Sequence, residues 1–315
     1  MLRFISIRFL ALVPLFLLVS VLLFALEPLL PNDPARLIVG PDATEQVYQA
    51  ARKELGLDQP LPVQYGRWLF KAVQGDFGTS YVSGERVGKA IVSRLPVTLS
   101  ITVVAGLLAL LIGTVVGTVA ALYPGGALDR SVSSICALGI AVPDFWIGMM
   151  LIAIFSLRLG WVPASGYVDF SVSPLDWMRS IILPSFALAI VKGAALAKQM
   201  RVSMIEVLQK PYIRTARAKG ASRVRTLFFH ALRNSLQPVV TIFGVYLGLM
   251  FGGALVVERV FALPGLGSLA FDSVLSSDVP MLQGVILLSI LMVTIMNLGV
   301  DLLYGWLNPK VRVTA

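Results

Sequence analysis

MRVSMIEVLQKPYIRTARAKGASRVRTLFFHALRNS, Met200–Ser235, is the stretch on which the reading of this chain turns. It carries eight Lys or Arg residues and a single acid, Glu206, and lies between two long apolar runs. Pro211 suits the first turn of a helix, where its missing N–H costs nothing. Tyr212 to Lys219 has room for two turns, Gly220 is a stop signal and Ser222 can cap a new helix. Val224, Leu227, Phe228, Ala231 and Leu232 then recur at helical spacing, giving one apolar stripe with Arg223, Arg225 and Arg233 largely off it. Pro238 closes the segment ahead of the next apolar run. Two readings stay open: an amphipathic helix held on anionic lipid, or a docking helix and its support inserted into a cytosolic partner. Nucleic acid is disfavoured, because the segment has no series of stacking aromatics and is tethered at both ends.

Outside this stretch the chain stays in hydrocarbon-like sequence. Of its 315 residues 57% are hydrophobic and 14% charged, far from a soluble globular average. Several runs of about 18 or more uncharged residues are long enough to cross a bilayer as helices. They do not alternate, which argues against a barrel. The net charge of +9 arises from basic residues at the ends of these runs, a topological signal. Cys136 is alone in an apolar run, so no disulfide framework or metal cluster is expected, and with His230 as the only histidine no serine–histidine triad is expected either. No catalytic and no metal-ligating residue is assigned.

Six membrane helices are expected: Phe9–Leu29, Val97–Leu122, Val132–Leu157, Ile181–Gln199, Val239–Val257 and Leu282–Leu303. The first resembles a signal peptide in its Arg3 and Arg8 flank, but its long apolar core and the lack of a small-residue cleavage site favour a retained helix. With the N-terminus in the cytosol, that side receives Arg3, Arg8, Arg130, Lys198, the basic segment, Lys310 and Arg312. The loop 31–95 on the other side balances eight basic residues against seven acids. Within it Thr44–Leu55 reads as a helix stopped by Gly56, Pro60 and Pro62 as an extended turn, and Tyr65–Val73 as a second short helix. Val162–Asp176 and Glu258–Pro280 are the other external segments. The organisation is therefore an N-terminal membrane helix, 1–30; an external region with short helices, 31–95; a five-helix core, 96–310, containing the cytosolic loop 200–238; and a tail, 311–315.

Two charges fall deep inside expected spans, whereas Glu27, Lys198 and Asp301 lie near span ends. Asp144 follows Pro143 near the middle of the third helix, and Lys192 lies about two turns from the cytosolic end of the fourth. Each is expensive in hydrocarbon and calls for a partner or water. At 1.5 Å per residue their depths differ by about 9 Å, a gap that tilt and the long lysine could narrow. Whether they pair, bond to neighbouring helices, snorkel, or line a pathway for charged substrate termini stays open. No chain of acids crosses the membrane, which weakens an ion-coupled mechanism. The nearest phosphate-loop match, Gly84–Ala90, is one residue short between its glycines and has Ala90 where a hydroxyl should hold magnesium. The chain itself is not expected to bind ATP.

YIRTARAKGASRVRTLFFHALRNSLQPVVT resembles the coupling loop of permeases in binding-protein-dependent ABC importers, with ARAKG at Ala216–Gly220 and Leu236 and Pro238 closing the pattern. SMIEVLQKPYIRTARAKG, GDFGTSY at Gly75–Tyr81, LPGLG at Leu263–Gly267 and VDLLYGWLNPK at Val300–Lys310 are similar to the dipeptide and oligopeptide subfamily over nearly the whole chain. The resemblance implies an all-α polytopic membrane protein with the type I importer permease fold, in the bacterial inner membrane. It implies that Pro211, Tyr212, Ile213, Arg214, Thr215, Ala216, Arg217, Ala218, Lys219 and Gly220 couple to an ATPase, with Tyr212 and Ile213 filling its groove. It implies an external gate or binding-protein contact at Glu258, Leu263, Pro264, Gly265 and Gly267. The implied partners are a homologous permease, two ATPase subunits that use ATP and Mg2+, an extracytoplasmic binding protein and membrane lipid. The implied cargo is a dipeptide or oligopeptide; relatives of the subfamily also carry nickel, glutathione or oligosaccharide.

Overall fold

The computed structural model describes residues 2–26 and 33–307. The described residues form thirteen α-helices: α1 Leu2–Leu26, α2 Pro34–Val39, α3 Glu45–Leu55, α4 Leu61–Val73, α5 Val87–Leu122, α6 Ala127–Ala141, α7 Asp144–Leu151, α8 Pro174–Leu208, α9 Pro211–Ala218, α10 Arg223–Arg225, α11 Arg233–Val260, α12 Leu266–Leu275 and α13 Val279–Leu307. Seven-residue π-helical stretches extend α7 to Arg158 and join α10 to α11. Among the described residues the only extended pairing is one bridge, Thr79 to Arg86.

Among the described residues, the helices spanning 87–122, 174–208, 223–260 and 279–300 are long and apolar enough to cross a membrane, and the bent pair α6 and α7 makes a fifth. The first expected span coincides with α1, apolar over Val13–Ala25. The residues expected to end that span, 27–29, and the tail 311–315 lie outside the described residues.

The chain forms two compact units. One comprises Leu2–Val97 and Pro264–Met292. In it, α2 and α3 are tied together by Asp33: its carboxylate accepts from the Ala35 N–H at 2.9 Å, from the Tyr48 hydroxyl at 2.8 Å and from Arg52 at 3.1 Å. Gly56 stops α3 in the left-handed conformation at φ 72°, as its position implies. Pro60 and Pro62 form no extended turn. Pro60 caps α4 and Pro62 lies in its first turn, where a missing N–H is tolerated. The α4 aromatics Tyr65 and Trp68 pack on Phe24 of α1, and Tyr65 shares a 2.9 Å hydrogen bond with Ser20. The GDFGTSY motif meets the start of α13: the Ser80 hydroxyl donates to Asp278, whose other oxygen accepts from the Tyr81 N–H at 3.2 Å.

The other unit is built from Thr98–Leu263 and the chain from Val293 onward. Its axis is α8, 72% buried across its apolar window and packed on α6, α7 and α11. Lipid tails are as apolar as leucine, so helices associate here through close backbone approach rather than hydrophobic burial. Gly113 and Gly117 of α5 supply it: a Cβ at either would overlap Leu196, Ala197 or Met200 of α8.

The contacts of α8 define two ends of this unit. At its C-terminal end, Arg201 grips Asp129 at the start of α6, and Ser235 at the start of α11 reaches the Ser203 carbonyl at 3.5 Å. At its N-terminal end, Ser180 bonds the Val168 N–H, and the Gly166 N–H donates at 3.3 Å to Phe261, just past α11. The bent pair therefore leaves one end and arrives at the other, which makes it a broken crossing rather than a re-entrant loop. The expected third helix, Val132–Leu157, is accordingly corrected. It stops at Ala141, passes Val142 and Pro143 in extended backbone and restarts at Asp144 with a 102° bend. Pro143 causes this twice over, having no N–H for the helix ladder and forcing the residue before it out of helical backbone.

Candidate functional site

The basic segment folds as two elements. Pro211 opens α9 in its first turn. After Lys219, Gly220 sits at φ 84°, its N–H donating to Arg217 and that of Ala221 to Ala216, at 3.0 and 3.1 Å. This is a Schellman closure, whose left-handed position suits glycine because a side chain there is strained. Ser222 then caps the next helix through the Arg225 N–H. Thr215, Arg214, Arg217, Ala218 and Lys219 are exposed and Ala216 is half-buried. Ile213 is fully buried within the chain, so the expectation that it fills a partner's groove is corrected. Tyr212 stays 42% exposed and, with Thr215, Lys219, Arg225 and His230, lines a shallow notch of about 560 Å3.

The expected apolar stripe beyond Ser222 is split. Ala231 is buried and Leu227 and Leu232 are half-buried, but Val224 and Phe228 are exposed, as is Phe229. The π-helical stretch Thr226–Leu232 is the cause: its wider turn shifts each side chain relative to a 3.6-residue period. Nor does Pro238 close the segment. It lies inside α11, and the helix runs unbroken in span from Arg223 to Val260.

At the break in the third crossing the two intramembrane charges meet. Lys192 Nζ lies 3.0 and 3.4 Å from the oxygens of Asp144, and both side chains are more than four-fifths buried. The restart of the helix puts the carboxylate in the first turn of α7, where the helix dipole favours it. The expected depth difference is corrected. Helix α8 continues to Leu208, so Lys192 lies roughly 24 Å from its C-terminal end, near the middle of the helix. Gly253 of α11 completes the junction: a Cβ there would sit 3.4 Å from Asp144 Oδ2. Pro143, Asp144 and Lys192 are thus one constellation at the meeting of α7, α8 and α11.

The corner after α11 is mostly internal. Glu258, Leu263, Gly265 and Gly267 are buried and only Pro264 of the expected external residues is exposed. The Glu258 carboxylate accepts from the Thr98 hydroxyl at 2.6 Å.

A second buried pair went unrecognised in the sequence. Asp129, 2% exposed, takes both Arg201 Nε and Nη2 and the Gly125 N–H at 2.8 Å. Fork-to-carboxylate pairing of this kind is directional as well as strong. In the sequence Arg201 reads as one more charge of the positive segment, and no spacing rule links residues 72 apart.

Broken and unbroken apolar crossings around a packed central helix, with an exposed basic helix at one end, define a helical multi-pass membrane protein. Residues 113–313 match the binding-protein-dependent transport system inner membrane component family, and residues 1–102 match the N-terminal component of such proteins. The chain belongs to this family. It is 43% identical over 312 residues to the glutathione transport system permease protein GsiC of Escherichia coli K12, covering 99% of each chain. It is 42% identical over 300 residues, 95% of this chain and 96% of the other, to a Brucella abortus protein provisionally named a peptide transport system permease. An inward-facing structure of the MetNI methionine ABC transporter shares the fold, with a TM-score of 0.58, 20% identity, and coverage of 69% of this chain and 96% of that one. The chain is therefore a multi-pass inner-membrane permease subunit of an ABC importer with the type I fold.

Proposed function

We infer that this permease carries dipeptides or oligopeptides, and that ATPase subunits drive it through α9. The exposed basic helix carries the reading: Arg214, Arg217 and Lys219 stand clear of the chain at the end of the unit where α6 and α11 begin and α8 finishes. Buried Ile213 anchors α9 to the chain, so a push on it reaches these helices. Closure of two ATPase subunits would then shift the balance of inward- and outward-facing states. Hydrolysis belongs to those partners, with ATP and Mg2+. A homologous second permease completes the pathway and an extracytoplasmic binding protein delivers the cargo. On this reading α9 and both termini are cytosolic.

The Asp144–Lys192 pair is read as part of the pathway, a place where charged peptide termini exchange with a built-in ion pair. Glutathione, a short peptide, is the specific second reading, supported by the 43% identity to a glutathione permease. The test is reconstitution with the partner subunits and ATP-dependent uptake of labelled dipeptide, oligopeptide, glutathione, nickel and oligosaccharide in parallel. Accumulation of a peptide is expected. Uptake confined to nickel or sugar, or uptake without ATP, would overturn the reading.

A further inference from the structure

We propose that the external end of the N-terminal unit holds the headgroup of a membrane phospholipid, with its phosphate on Trp68 and Gln283. These two residues line a cavity of about 430 Å3 with Phe24, Phe77 and Tyr81. Gln283 is 4% exposed, and its Nε2 is buried without a hydrogen-bond partner; so is the indole Nε1 of Trp68. Leaving two donors unmet at one site is costly, and both call for an acceptor. A phosphate offers only acceptors. The exposed side chains of Arg67 and Lys71 line the same cavity and supply charge for it.

A lipid source fits the surroundings. Phe24 lies two residues from the end of α1, and Gln283 in the first turns of α13, so the cavity sits where apolar helices end. Phe24, Tyr65 and Trp68 form the kind of aromatic cluster that marks headgroup level. Helix α4 also leaves Phe70 70% and Val73 80% exposed, apolar surface beside the cavity for acyl chains to cover. Two acids, Glu54 and Asp76, share the lining, and Asp76 already accepts from the Gly78 N–H. They oppose a purely anionic headgroup and suit one that adds an ammonium to its phosphate, as phosphatidylethanolamine does.

The test uses the full transporter in nanodiscs with phosphatidylethanolamine bearing a diazirine near its headgroup. After irradiation, label is expected on peptides covering 64–81 or 279–283. Trp68→Phe keeps an aromatic ring and Gln283→Met the side-chain length, both without the donor, and each should lower labelling about fivefold. Unlabelled phosphatidylethanolamine should displace the probe, whereas phosphoethanolamine and a dipeptide should not. Labelling unchanged in both variants would mean that water meets these donors and would overturn the proposal. Equal displacement by phosphoethanolamine, or displacement by the dipeptide, would overturn the lipid assignment in favour of a soluble ligand. A variant is scored only where its assembly with the partner subunits matches the parent.

Discussion

At the residue scale the molecule is organised by two charge pairs in an apolar setting. Desolvation makes a buried pair a poor source of net stability, but removing one partner strands the other charge. Asp129→Asn should therefore destabilise the permease, and Arg201→Ala likewise, each by leaving the other charge without its partner. Thermal unfolding of the assembled transporter checks this. The double variant Asp129→Asn/Arg201→Ala should be less damaged than the sum of the singles, since it leaves no unpaired charge. At the other pair, Asp144→Asn and Lys192→Met should each impair assembly more than the two together, since the double variant strands no charge, while uptake should stay impaired in all three. Losses in uptake that simply add would show that the residues act apart. Gly253→Leu would crowd the Asp144 carboxylate and should mimic loss of the pair, whereas Gly253→Ala needs only the far end of Leu188, 3.2 Å from the new Cβ, to give by a few tenths of an ångström and should be milder.

At the scale of elements, the basic segment holds its shape because its stops and starts are chemically enforced. Gly220 at φ 84° closes α9, and a side chain there is strained. Gly220→Val should cost on the order of 1 kcal/mol or more and loosen the orientation of α9. ATP hydrolysis per substrate carried should then rise. Arg214→Glu with Arg217→Glu should leave the fold intact, since both side chains are exposed. Uptake should fall about tenfold or more, equivalent to ~1.4 kcal/mol of lost contact. Retained ATPase association and uptake in that variant would remove α9 as the docking element. The boundaries of α9, Gly220 and the Ser222 cap were legible in the sequence because each depends on local backbone chemistry. The split of the Val224–Leu232 stripe was not, because the π-helical stretch arises from how the segment packs against the rest of the unit.

At the scale of the whole molecule, the permease concentrates its packing on α8, and the partly buried apolar windows of α5, α11 and α13 remain for lipid and other subunits. The bent crossing is where such a body is easiest to reshape, since no helix ladder spans Val142 and Pro143. Replacing Pro143 with alanine should favour a continuous helix and weaken the Asp144–Lys192 pair, an outcome that spectroscopic distances across residues 135 and 150 can follow. The apolar runs, the basic segment, the glycine and proline punctuation and the motifs along the chain determined by themselves that this is a helical membrane permease with one long basic segment between its spans, because these signals depend on nearest neighbours and on the solvent. The partner of Asp144, the clamp between Asp129 and Arg201, the burial of Ile213 and Glu258 and the unmet donors of Trp68 and Gln283 were decided only by tertiary structure. Each joins residues far apart in sequence, and their meeting depends on where helices cross, which no local pattern encodes.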